Sequence, residues 1–555
     1  MASNGGHEHG ARRDELAIAA LAAVASVAVF TWYFLHNQIL LYGDAVAHLN
    51  NARRVFDSRE AGLLQLGTVW LPLPHVLSMP FVANDWMWRT GLGGSIVSMI
   101  AYVIGCFGVF RLVRGRAPSA AAWAGALIYG LNPNLLYMQS TAMTEPLFLA
   151  EMVWALVYLD DLLRGLYPDT RGALPRLAPH VALGRCGVAL AAAILTRYDG
   201  WLLALLVGVI ATLVVLRGTI RSTIRIPRLK RTLVEFLLLC ALCPTLWLTD
   251  NYAMSKHPLD WMNGPYSAKA IEQRRVEAGS PPYPGQGNMR VAAMVFLKCV
   301  RMNSAEGAAE KPVFALALIG TALALLRLRR MGVLLLLWFP LVFYSYSIAF
   351  GSVPIYLPDW WPWSYYNVRF GLELLPMFAV SAGLLIGEVS YLKPTWLGRG
   401  LSAAAVVVLA WGYAGCWRGD SHYQWGTLAP YKAPLCLREA EVNGRSRMQM
   451  EEQLAPLLRS LPRDSTILIS AGQHVGALEM AGLPLHRAVT DYLKIPWSAG
   501  LSSPASVADY VVAFDGDAVA QAVAQHPQGL SRVAEIRVPG TAPATVYVNQ
   551  RREDH

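Results

Sequence analysis

Charge is scarce in this chain of 555 residues: Asp, Glu, Lys and Arg make up 15% of it, against 55% from the hydrophobic set. That balance excludes a disordered chain, and Gly and Pro show no repeating period of the collagen kind. There are only seven cysteines, with no CxxC…CxxC spacing, so the pattern of a structural metal centre is missing. Also missing is a small-residue cleavage site after the first apolar block, Leu16–Leu35, which Arg12-Arg13 precede. Twenty uncharged residues exceed the apolar core of a signal peptide, so this block is expected to stay as a spanning helix.

What the chain has in quantity is apolar blocks of roughly 17–22 residues, the length that crosses a ~30 Å hydrocarbon core. They fall at 16–35, 92–110, 118–138, 146–163, 181–196, 200–216, 232–249, 313–326, 331–350, 370–390 and 400–416. The expected fold is an α-helical polytopic membrane protein of about eleven spans, with a small C-terminal α/β domain. The excess of 47 Lys+Arg over 37 Asp+Glu, +10, sits in short clusters between the blocks and so reads as a topology signal rather than a nucleic-acid surface. The clusters are Arg111/Arg114/Arg116, Arg164/Arg171/Arg176/Arg185, Arg217/Arg221/Arg225/Arg228/Lys230/Arg231, Arg327/Arg329/Arg330 and Lys393/Arg399. With them in the cytoplasm, residues 1–15 form a cytoplasmic tail and 16–416 a membrane domain. The long loops 36–91 and 250–312 and the segment 417–555 are then extracytoplasmic, in a multi-pass protein of the plasma (inner) membrane. The C-terminal segment is expected to form a helix at 448–460, strands at 466–470, 510–514, 533–538 and 545–549, and a helix at 517–525. Cys416 and Cys436 are the pair placed for a disulfide outside the cytoplasm.

Four polar clusters interrupt the apolar pattern at the outer ends of the spans. The first is Leu41-Tyr42-Gly43-Asp44-Ala45-Val46-Ala47-His48. A helix starting near Asp44 puts Val46, Leu49 and Phe56 roughly on one face, as in a helix lying in the membrane interface. Asp44 is either a helix N-cap or a carboxylate held to take a proton from an acceptor hydroxyl, and His48 shares its face. The second is Thr144-Glu145-Pro146, either a helix start or a functional acid at the bundle mouth. The third is Thr196-Arg197-Tyr198-Asp199-Gly200-Trp201, where Arg197 and Asp199 can pair as an interfacial anchor across a very tight turn. The fourth runs from Trp360 through Tyr366-Asn367-Val368-Arg369-Phe370 to Glu373. Its aromatics suit an interfacial belt, and Arg369 either pairs with Glu373 at i,i+4 or holds a phosphate. His48, His75 and Asp44 offer metal-ligand chemistry at scattered spacing only.

In the order and sidedness of these elements the chain resembles the GT-C superfamily of integral-membrane glycosyltransferases. It is most similar to the protein-mannosyltransferase-like and aminoarabinose-transferase-like branch, which uses polyprenyl-phosphate sugars. The resemblance spans most of the chain and rests on Gly43-Asp44-Ala45, Thr144-Glu145-Pro146, Arg197-Tyr198 with Gly200-Trp201, Asn367-Val368-Arg369-Phe370 and the extracytoplasmic tail. It implies that Asp44 is the general base, that Arg369 contacts the carrier phosphate with help from Arg197, and that Glu145 positions the acceptor or sugar. Tyr198, His48 and Tyr366 complete the implied substrate-binding set. The implied partners are a polyprenyl-phosphate-linked sugar donor, a glycolipid, glycan or protein acceptor and membrane lipid, with no nucleic acid and no required cofactor. Many protein mannosyltransferases have Asp-Glu in the first loop, whereas Ala45 follows Asp44 here, which leaves a glycolipid or cell-envelope glycan at least as expected an acceptor as a protein. No cytoplasmic loop is long enough for a nucleotide-sugar domain. A multispanning transporter or lipid flippase is the competing class, although charge gathered at one end, with dissimilar halves, fits it poorly. A scaffold displaying the C-terminal domain would leave the acids and arginines at the mouth unexplained.

Overall fold

The computed structural model describes residues 4–167, 175–221, 227–327, 333–419, 432–472, 474 and 476–553. Arg171, Arg225, Arg329 and Arg330 lie outside them. Among the described residues nine helices are long and apolar enough to cross a membrane. All eleven expected blocks are largely helical, and the two that fall short of that standard do so for visible reasons. The block at 118–138 breaks into Ser119–Gly130 and Pro133–Met138, because Asn132 starts a new helix by accepting the Leu135 N–H (3.0 Å) and Pro133 fits a first turn. The block at 146–163 is one helix, Glu145–Leu166, carrying five acidic residues or arginines besides its apolar face: Glu145, Glu151, Asp160, Asp161 and Arg164, all buried.

Glu151 apart, those charges form two poles on that helix. Near its C-terminus Asp160 pairs with Arg116 (2.7 Å) and Arg164 (2.8 Å), and Asp161 pairs with Arg164 (2.7 Å) and Arg111 (3.4 Å). Several basic residues read from sequence as topology signals are therefore also structural counter-ions. Glu145 lies at the other pole, about 24 Å away along the axis at 1.5 Å per residue.

At Glu145's end sits a cap built on a five-stranded sheet: β1 Ile467–Ile469, β2 Ala488–Val489, β3 Tyr510–Phe514, β4 Leu530–Ile536 and β5 Ala544–Asn549. The order is β2-β1-β3-β5-β4, parallel across the first three strands and antiparallel across the rest. The two-residue β2 is too short to leave a periodic trace, and the irregularity between Arg532 and Ala534 accompanies a β4 that begins and ends earlier than 533–538. The expected helix at 448–460 begins at Leu435 and runs to Ser460. Its first half, including Leu435, Cys436, Leu437 and Ala440, is buried in the core of the helical bundle, whereas Met450, Leu454 and Leu458 belong to the core of the cap.

The cap grips the first loop directly. Arg447 donates to the carbonyls of Leu40 (2.7 Å) and Leu41 (3.2 Å), and Gly444 lies so close that a Cβ there would overlap the Leu41 carbonyl oxygen. Asp57 accepts from Arg53 (2.9 Å) and from the His486 ring (2.7 Å). The expected disulfide is not formed. Among the described residues the seven cysteines form no disulfide; Cys416 faces the Met302 carbonyl and Cys436 the Asn303 side chain (3.5 Å), each buried in helix packing.

Gly444→Ala is expected to cost about 1–3 kcal/mol by overpacking, read as a lowered melting temperature in detergent or nanodiscs. Burial pushes the Asp57 carboxyl up, but hydrogen bonds from Arg53 and His486 outweigh it and hold the group below the ordinary carboxylate range. A carboxyl lowered on folding stabilises fully above its unfolded value of about 4 and loses that contribution as pH falls through the folded value. Hydrogen-exchange protection around Asp57 and His486, taken relative to the intrinsic rate at each pH, should therefore fall on acidification below about pH 4, and Asp57→Asn should flatten that response.

Candidate active site

The first-loop helix, Gly43–Arg54, starts where the sequence placed it, with extended Tyr42 before its first turn. It is not a surface helix. Ala45 to Arg54 are all buried, because neighbouring elements take up its polar face as well as its apolar one. Asn50 accepts from the Trp88 indole (2.9 Å), and Arg53 donates to the Val82 carbonyl (2.9 Å) and to Asp85 (2.7 Å). Nor does Asp44 cap the helix: it sits inside the first turn, and its Oδ2 accepts from Arg369 Nη2 at 2.6 Å.

Arg369 lies on a 3-10 helix, Val368–Leu374, entered through Asn367 in the left-handed region (φ 54°). Three residues per turn put Arg369 and Glu373 on different faces, which is why the α-helical i,i+4 pairing expected between them does not form. Arg369 instead gathers three acids from distant segments: Asp44, Glu145 through Nε (3.2 Å) and Glu439 through Nη1 (3.2 Å). Glu373 turns to Arg197 (3.5 Å).

Arg197 occupies the tight turn between helices Pro179–Thr196 and Asp199–Arg221. Its Nη1 donates to Thr144 (3.0 Å) and to Glu145 (3.2 Å), its Nη2 to the Tyr344 hydroxyl (2.7 Å), and its Nε faces Asp199 at 3.5 Å. The local Arg197–Asp199 pair therefore exists within a larger network. Glu145 Oε1 is shared by both arginines, so Glu145 joins two phosphate-binding candidates rather than merely starting a helix. The loop leading to Glu145 is held by Ser95 and Ser98, which donate to the carbonyls of Ser140 and Met143 (both 2.9 Å).

Two guanidiniums thus face five carboxylates, Asp44, Glu145, Asp199, Glu373 and Glu439. Four of these acid side chains are at most 1% exposed, whereas that of Asp44 is 41% exposed, so Asp44 is the member open to an incoming reactant.

The remaining predicted residues surround this network. Tyr198 donates to the Val69 carbonyl (2.8 Å) and stacks on Trp261 of the second long loop (4.2 Å). That loop reaches the cap, where the Tyr266 hydroxyl donates to Asp491 (3.0 Å). Tyr366 pairs by its backbone with Tyr356, and its ring lies within electrostatic reach of Asp44 and Arg369. His48 is buried against Trp70 and hydrogen-bonds His75 (2.8 Å). Burial, reinforced by Arg369 and Arg197, pushes His48 down to about 3, and burial lowers His75 as well, so both rings are neutral at physiological pH. His48 Nδ1 and His75 Nε2 share a hydrogen bond while Asp44 is directed to Arg369, so the three scattered ligand candidates do not converge. Among the described residues no group of three or more His, Cys, Asp or Glu is arranged to hold a metal ion.

Sequence reasoning missed Glu439 and Tyr344. Neither lies in a motif, and their contacts join positions 70 and 147 residues apart, a separation no local pattern reports. Beside the Arg197 turn, an apolar groove of about 490 Å³ opens between helices Asp199–Arg221 and Pro227–Ser255, lined by Ile194, Trp201, Gly208, Leu237 and Pro244 among others.

The helical membrane bundle carries an α/β cap, and the charged site lies where the two meet. By sequence, no protein-family model and no curated protein matches the chain. Among solved structures it is similar to ArnT from Cupriavidus metallidurans bound to undecaprenyl phosphate, with a TM-score of 0.56 and 14% identity over 96% of this chain and 97% of that one. A further similarity is to the oligosaccharyltransferase AglB from Archaeoglobus fulgidus in complex with an inhibitory peptide and a dolichol-phosphate (TM-score 0.47, 12% identity, 97% of this chain and 74% of that one). Another is to the mycobacterial arabinofuranosyltransferase AftD, as its R1389S mutant (TM-score 0.42, 14% identity, 97% of this chain and 41% of that one).

Removing a buried partner leaves uncompensated charge, so Arg197→Ala should destabilise the protein by about 3–5 kcal/mol. Asp44→Asn breaks an ion pair with one exposed member and should cost less than about 1 kcal/mol. Thermal unfolding of both variants in one detergent checks this contrast.

Proposed function

We propose that this protein is a membrane glycosyltransferase that moves a hexose or pentose from a polyprenyl-phosphate carrier to an extracytoplasmic hydroxyl on a glycolipid, glycan or protein. The single observation that carries the reading is Asp44, an exposed carboxylate on an otherwise buried arginine–acid network, beside an apolar groove that opens next to Arg197. A carrier needs both parts: positive charge for its phosphate and an apolar path for its isoprenoid tail. Undecaprenyl phosphate bound to ArnT, a protein of similar fold, supports the same assignment.

In this mechanism the donor phosphate takes Arg369 Nη2, which at rest is occupied by Asp44. The exchange frees Asp44 Oδ2 from its ion pair and leaves it open to a hydroxyl proton. Asp44 accepts the acceptor's hydroxyl proton while the hydroxyl oxygen attacks the anomeric carbon from the face opposite the phosphate. The bond from that carbon to the phosphate oxygen breaks, its electron pair stays on the phosphate, and the configuration inverts. Arg369 and Arg197 stabilise the charge that grows on the leaving phosphate, a use of preorganised charge that needs no strong general acid. Glu145 holds both guanidiniums in register, and Tyr198 with Trp261 walls the donor side. The loop 250–312 closes over the site and takes part in acceptor recognition. We place the N-terminus in the cytoplasm and the cap outside it, because the short loops at the Asp160–Asp161 pole are the arginine-rich ones.

The test is reconstitution in lipid nanodiscs with a panel of labelled polyprenyl-phosphate sugars, following loss of label from the lipid. Wild type should release or transfer one sugar class, with activity persisting in EDTA. Asp44→Asn should bind the carrier but lose about 10²–10⁴-fold in turnover, the usual contribution of a positioned base. Equal turnover in both proteins would remove Asp44 as the base, and movement of an intact lipid with no covalent product would replace the enzyme by a transporter.

A further inference from the structure

Glu439 stands on the cap helix Leu435–Ser460 yet ends in the membrane-side site, with its side chain 1% exposed. Its two carboxylate oxygens have separate tasks. Oε1 accepts from Arg369 Nη1 (3.2 Å), while Oε2 accepts from the Tyr42 hydroxyl (2.7 Å) and the Arg369 backbone N–H (3.4 Å). Tyr42 precedes Asp44 by two residues, and its hydroxyl also lies 2.9 Å from the Cys436 carbonyl, one helical turn before Glu439, as a second acceptor for the same O–H. The same helix holds the approach to Asp44 at two further points, Arg447 on the Leu40 and Leu41 carbonyls and Gly444 against Leu41. One carboxylate therefore links the backbone that presents Asp44 to the guanidinium that Asp44 touches.

We infer that Glu439 is a positioning residue of the transfer site: a cap side chain that fixes the spacing between the base-bearing turn and the phosphate-binding arginine. The inference rests on the glycosyltransferase reading and deepens it. In-line displacement requires the acceptor oxygen, the anomeric carbon and the leaving phosphate oxygen to align, and those positions are set by Asp44 on one side and Arg369 on the other. Tyr42–Glu439–Arg369 is a buried bridge between the two sides, made by a chain segment nearly 400 residues from the first loop. The cap thus completes the site as well as covering it.

The role predicts a split between binding and turnover. Without the Glu439 charge, Arg369 keeps its own charge and loses an anionic competitor, so its attraction for phosphate is undiminished. The geometry between base and phosphate, however, is released, and a displacement near 1 Å costs about a hundredfold in rate. In nanodiscs, Glu439→Gln and Glu439→Ala should bind undecaprenyl phosphate within about threefold of wild type, or more tightly, while kcat falls about a hundredfold. Tyr42→Phe keeps the buried ring and removes only the bridging hydroxyl. Its kcat loss should not add to that of Glu439→Ala in the double variant, because both cut the same link. Turnover within about threefold of wild type in both Glu439 variants, parallel loss of binding and turnover, or additive losses in the double variant would each overturn the inference while a wild type that turns over leaves the enzymatic reading standing. A wild type that releases sugar from no carrier would overturn both.

Discussion

Arg369 is a guanidinium held almost entirely out of water, and that position can be maintained only if counter-charges meet it with good geometry. Asp44, Glu145 and Glu439 do so, and they come from the first loop, the second loop and the cap. Glu145 extends the same logic to Arg197, which draws in Thr144, Tyr344, Asp199 and Glu373. The charged site is consequently also the joint at which the membrane bundle, its loops and the cap are held together. Stability and the proposed chemistry share these residues, except at Asp44, where exposure lets one partner be exchanged without dismantling the rest.

Helix Glu145–Leu166 gives this arrangement its polarity. One end carries Glu145 and the site; the other carries Asp160 and Asp161, neutralised by Arg111, Arg116 and Arg164. Apolar packing fills most of the length between, where Glu151 accepts through Oε1 from the Thr196 hydroxyl (3.0 Å). The placement of charge at the two ends of a buried helix keeps ions out of the hydrocarbon and concentrates the unusual electrostatics at one mouth.

The first-loop helix shows what local reading misjudges. Its start and its acid were legible, but its apolar face of Val46 and Leu49 resembled a membrane-surface helix, because a sequence does not reveal what covers the opposite face. Arg369 and Glu373 show a second limit: spacing predicts pairing only when the helix type is known, and here three residues per turn separates them. Cys416 and Cys436 show a third, since shared sidedness does not bring two thiols within bonding geometry.

By itself, the sequence determined the membrane fold, the helical blocks, most of the cap's elements and four of the polar clusters that line the mouth. These follow from block length, periodicity and turn chemistry, which are local properties. Only the tertiary structure decided which acid each arginine meets, that Glu145 is shared, that Glu439 reaches from the cap to Tyr42 and Arg369, and that Asp44 alone of the five acids remains open. Those choices depend on which buried charges can be compensated at close range across hundreds of residues, and that is settled by packing rather than by any neighbouring residue in the chain.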